Sequence, residues 1–125
     1  MIDAAIERQL IETFVKPALR DRWHVMLPGR RRQKHLSRLH HHFDFEADRI
    51  EKLKVRMSDS PADVPSMRRT GLAPAYFLST RPELDGQWKR LDEVHDDPHS
   101  YVAYWPALRC ALFRDEYDHY FLSNE

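Results

Sequence analysis

Apolar residues recur at four-residue spacing at the start of the chain: Ile2, Ile6, Leu10 and Phe14. That spacing puts them on one face of a helix. Asp3 is placed to cap it, and Glu7 lies early in it, where an acid is favoured. Pro17 removes an amide and clashes with the preceding turn, so the helix breaks near Val15–Lys16. Pro17 then serves as the first residue of a second helix, Ala18 to about Met26, which Pro28-Gly29 ends. A third helix is predicted from about Arg30 to Phe43. Leu36, Leu39, His40 and Phe43 form its apolar face, while Arg31, Lys34, His35, Arg38, His41 and His42 gather on another.

Ser58 to Pro74, with Pro61, Pro65, Gly71 and Pro74, reads as a loop with one helical turn after Ser60-Pro61. Beyond it the period changes. Ala75–Ser79 is strand-like, and Asp85 caps a predicted helix to about His95, with Trp88, Leu91 and Val94 or His95 facing inward. Pro98 stops that helix. Tyr101–Trp105, Arg109–Arg114 and Tyr117–Leu122 follow as strands, and Asp115-Glu116 turns between the last two. Helices first and strands last predict an α+β fold: N-terminal helices packed on a C-terminal antiparallel sheet of about four strands. The expected organisation is one domain over residues 1–125, with a helical part at 1–57, a loop at 58–74 and a strand-rich part at 75–125.

Charge changes this picture by its distribution. The whole chain is neutral, with 20 basic and 20 acidic residues. Residues 28–42 nevertheless hold five cations, Arg30, Arg31, Arg32, Lys34 and Arg38, and no acid, whereas residues 43–125 carry 16 acids against 11 bases. A neutral total argues against a dedicated polyanion binder but leaves room for a local basic patch. The lone Cys110 excludes an internal disulfide and fits a reducing compartment. The N-terminus lacks a basic leader, and no apolar run approaches the ~20 residues that span a bilayer. The expected location is the cytoplasm, with no membrane association.

Candidate chemistry is sparse. With glycines only at 29, 71 and 86, a phosphate-cradling loop is excluded. His40-His41-His42 with Asp44 and Glu46 offers metal-ligand types, but adjacent helical residues point about 100° apart and do not converge on one ion. His95, Asp96, Asp97 and His99 cluster around Pro98 without a third catalytic partner. Cys110 lies in an apolar strand pattern, the setting of an inert thiol. No cofactor, metal or catalytic residue is expected.

The alternating aromatics place Tyr101 and Trp105 on one side of a strand and Tyr104 on the other. One set belongs to the core, and the other is either core or an exposed platform. A helix-turn-helix with Gly29 in the turn would place Arg30–Arg32 at the start of its second helix, but it also puts His35 where an apolar packing residue belongs.

These features favour a small binding or regulatory domain, in one concrete form a toxin-neutralising one, that meets an acidic protein partner through Arg31, Lys34, His35, Arg38, His41 and His42. The first alternative is a nucleic-acid binder using the basic helix 30–42. The second is a small hydrolase or metal-dependent enzyme using His95, Asp97 and His99.

Overall fold

The computed structural model describes residues 2–39, 44–46, 50–53, 70, 73–94, 100–115 and 119–123. Helix α1 runs Ala4–Phe14, and the carboxylate of Asp3 accepts hydrogen bonds from the amides of Ala5 and Ile6. Its C-terminal neighbour Val15 is extended and forms an isolated bridge with Phe45. Pro17–Leu19 is a single 3-10 turn that leads into α2, Arg20–Met26. A short connection then leads to α3, Arg32–Leu39. Gly29 fits closely in that connection: a Cβ there would lie 3.3 Å from the Val25 carbonyl oxygen and 3.4 Å from that of Met26, a tight approach to backbone.

Six strands form one antiparallel sheet: β1 Ile50–Leu53, β2 Ala75–Ser79, β3 Trp88–Lys89, β4 Tyr101–Trp105, β5 Cys110–Arg114 and β6 His119–Ser123. Their order across the sheet is β1-β6-β5-β4-β2-β3. The fold is therefore α+β, with two more strands than the sequence pattern predicts. Both additions are edge strands. Residues 50–53 were expected in the helical part but pair with β6 from Ile50↔Leu122 to Leu53↔His119.

The helix expected from Asp85 to His95 does not form. Gly86 adopts φ 78°, outside the right-handed helical region, Trp88 and Lys89 pair with β2, and Leu91–Glu93 make only a 3-10 turn. The carboxylate of Asp85 is engaged elsewhere, as described below. Trp88, expected to face inward, is 48% exposed. The loop expected over 58–74 lies outside the described residues apart from Thr70, Ala73 and Pro74, as does the turn after Asp115.

Every residue of β2, β4 and β5 is buried. A strand buried on both faces reads as a continuous apolar run, which is how these three read in the sequence. One face (Tyr76, Leu78, Val102, Tyr104, Phe113) packs on Leu10, Phe14, Trp23, Leu36 and Leu39 of the helices. The other (Phe77, Tyr101, Trp105, Leu112) packs with Leu84, Leu91 and Val94. Tyr101 and Tyr104 are both 0% exposed and Trp105 is 2% exposed, so neither set makes a surface platform. Cys110 is likewise buried in the core. No helix among the described residues is long and apolar enough to cross a membrane.

Candidate functional site

The N-terminus of α3 is where the chain concentrates its charge. Arg32 shares the helix face of Leu36 and Leu39, at i+4 and i+7, and so points inward. Its guanidinium has five N–H groups, and all five are used. Nε donates to Asp85 Oδ2 at 2.8 Å, and Nη2 donates to Asp85 Oδ1 at 2.9 Å and Glu7 Oε2 at 2.8 Å. Nη1 donates to Glu7 Oε1 at 2.5 Å and to the Leu27 carbonyl at 3.3 Å. The same two carboxylates take further donors. Tyr76 Oη donates to Glu7 Oε2 at 2.5 Å, and the Ser79 amide donates to Asp85 Oδ1 at 3.3 Å.

One cation thus joins α1, the α2–α3 connection, α3 and the turn between β2 and β3. Glu7 and Asp85 are buried. Burial by itself would lower the Arg32 pKa, but its hydrogen bonds to the Asp85 and Glu7 carboxylates outweigh it and hold the guanidinium above its usual value. Burial also raises the Tyr76 hydroxyl, and its bond to the Glu7 carboxylate adds to the effect.

A second junction forms around Asp44. Arg38 donates through Nε at 3.0 Å and Nη2 at 2.9 Å, and the Trp23 indole N–H donates at 2.9 Å. The Asp44 carbonyl accepts from the Lys16 amide at 2.9 Å. The hydrogen bond from Arg38 holds the Asp44 carboxyl below its ordinary value, against the opposing effect of burial.

Among the described residues of the predicted partner-binding set, only Arg38 enters one of these junctions as an ion pair. Arg38 is half exposed and committed to Asp44. His35 lies edge-on to the Trp23 ring at 6.4 Å between centroids. Arg31 and Lys34 are exposed, as is neighbouring Arg30, and none of the three has an ion-pair partner among the described residues. His41 and His42 lie outside the described residues, as do His40 and the 95–99 His/Asp cluster. Among the described residues, no group of three or more His, Cys, Asp or Glu side chains could hold a metal ion.

The helix-turn-helix expectation loses part of its basis, because Arg32, one of three arginines that would open the reading helix, is turned into the protein. Its inward role was missed although its register with Leu36 and Leu39 was visible. The acids that hold it lie 25 and 53 residues away.

Two grooves flank the N-terminus of α1. One, of about 280 Å³, lies between α1 and the end of α2, lined by Ala4, Arg8, Ile11, His24, Leu27 and Pro28, with Glu7 also on its wall and Ile2 at its end. His24 Nε2 is 2.7 Å from Glu12 Oε1. The second, open and of about 580 Å³, runs between Ile2, Asp3 and Ala4 and the Gly86–Trp88 segment. In comparisons with protein-family models, curated proteins and solved structures, the chain matches none.

Proposed function

We propose that this chain is a binding domain that docks an acidic surface of a protein partner through the α2–α3 connection and the outer face of α3. The observation that carries this reading is the separation of cations by role. Arg32 and Arg38 are bonded to the protein's own acids, while Arg30, Arg31 and Lys34 stand exposed within one and a half helical turns, without an acid among the described residues. Helix α3 is itself held by Glu7, Asp85 and Asp44, so the free cations are displayed on a fixed support. Fixed charges of one sign raise the rate of encounter with an oppositely charged partner and set its orientation. Arginine adds paired hydrogen bonds to carboxylates.

The test is a fluorescence-anisotropy titration of three probes at low salt: an acidic peptide, a DNA duplex and a single-stranded RNA. It compares wild type with an Arg30→Glu/Arg31→Glu/Lys34→Glu variant. Arg38 is left intact, because reversing it would break its pair with Asp44 and confuse unfolding with lost binding. Peptide binding that disappears in the variant supports the proposal. Duplex or RNA binding that disappears in the variant replaces the proposal with a nucleic-acid reading. For three phosphate contacts, binding would weaken between about 50 and 200 mM salt by roughly 40-fold for the duplex and roughly 20-fold for the single strand. No binding of any probe leaves a solvated face and overturns the proposal.

A further inference from the structure

We propose that the groove between α1 and the α2–α3 connection seats one apolar side chain of the partner, so that the partner's recognition segment is an aliphatic residue set among acids. This deepens the function proposed above and rests on it. At about 280 Å³ the groove lies at the small end of the ~300–1,000 Å³ typical of ligand pockets and has room for an anchoring side chain. Its walls are largely aliphatic: Ala4, Ile11, Leu27 and Pro28.

The buried acid beside it does not repel such an occupant. Both oxygens of Glu7 are taken by Arg32, and one of them also accepts from Tyr76. Charge complementarity identifies the partner. Arg8 is exposed on the α1 rim, and Pro28 on the opposite rim is followed within three residues by exposed Arg30 and Arg31. The nearby acid Glu12 is half exposed and lies 2.7 Å from His24 Nε2. An apolar side chain entering this groove therefore meets Arg8 on the α1 rim, and the Pro28 rim leads directly into the exposed Arg30-Arg31 segment. Interfaces place their energetic centre where an apolar anchor fills a pocket on the partner, with polar contacts around it.

The test uses two fluorescent peptides, one with a leucine between three acidic residues on each side and one with serine in the leucine's place. Wild type should bind the leucine peptide about tenfold more tightly than the serine peptide. Ala4→Leu, an exposed substitution at the first position of α1 on the wall the two grooves share, adds bulk to this groove and should abolish that preference while the serine peptide binds as before. Trp88→Ser opens the neighbouring groove, where Trp88 packs edge-on against Tyr76, and should leave the preference intact; loss of the preference there overturns the assignment to this groove. Equal affinities in wild type, or a preference that survives Ala4→Leu, overturn the groove while the basic surface stands. Failure of both peptides to bind removes the basic surface and the groove together. Wild-type dimerisation in sedimentation that Ala4→Leu abolishes assigns the groove to a second copy of this chain and also overturns the inference.

Discussion

Replacing Arg32 by methionine keeps most of the side chain's length and removes its charge, leaving Glu7 and Asp85 buried without a cation. Five hydrogen bonds disappear. At ~1.5–3 kcal/mol for each bond to a charged group, a simple sum would exceed the stability of many whole domains, so it is not the right measure. The relevant cost is that of orphaned charges, about 3–5 kcal/mol when one member of a buried pair is removed. The surroundings favour the lower part of that range. Glu7 keeps the Tyr76 hydroxyl, and Asp85 keeps the Ser79 amide and the Gln33 amide at 3.5 Å. A loss of about 3–4 kcal/mol is expected, to be measured by urea unfolding at neutral pH with the slope unchanged. With a slope of about 1.5–2 kcal/mol/M, the midpoint falls by about 2 M. The triple variant Glu7→Gln/Arg32→Met/Asp85→Asn removes the charges together and should regain about 2 kcal/mol of that loss. The reasoning fails if Arg32→Met costs less than about 1 kcal/mol, or if the triple variant is less stable than Arg32→Met alone.

Three further outcomes follow from the same geometry. The Asp44 carboxyl is held below its ordinary value of 3.8, so its stabilising effect is full above that pH and is lost as pH falls through the lower folded value; Asp44→Asn should lower neutral stability and flatten the acid limb of a stability–pH curve. The Tyr76 hydroxyl is raised above its ordinary value of 10.0, so the unfolded chain ionises first and stability falls as pH rises beyond that point; Tyr76→Phe should cost about 1–2 kcal/mol at neutral pH and weaken that alkaline fall. Arg109 sits between β4 and β5 at φ 50°, in the left-handed region, so Arg109→Gly should raise the denaturant midpoint by the equivalent of about 1 kcal/mol.

Much of the fold was legible because its signals are local. Asp3 caps α1, the chain breaks at Val15 before Pro17, and β2 and β4 occupy the residues their apolar runs mark. Elsewhere local signals mislead. Ile50 and Leu53 are three apart, which suits a helix as well as a strand, and only pairing with β6 some 70 residues later makes the segment a strand. Trp88, Leu91 and Val94 have helical spacing, yet Gly86 and the hydrogen bonds of Phe77 with Gly86 and Gln87 turn that segment into a hairpin.

For the candidate site, the basic run is chemically uniform, and net charge does not show which members face inward. The 3.6-residue period separates Arg32 from Arg31 and Lys34, but its partners Glu7 and Asp85 come from distant parts of the chain. Likewise, nothing near Arg38 in the sequence distinguishes Asp44, six residues on, from the other acids that follow it.

The division of the core between early helices and late strands has a consequence for synthesis. Leu10, Phe14, Trp23, Leu36 and Phe45 are covered by side chains that begin at Tyr76 and end at Leu122. At ~5–20 residues per second, a ribosome needs roughly 4–15 s to travel from Phe45 to Leu122. Throughout that interval the helices lack their full apolar cover, and β5, once made, waits for β6. A nascent chain in that state is expected to bind chaperones that hold apolar segments until β6 is available to complete the sheet.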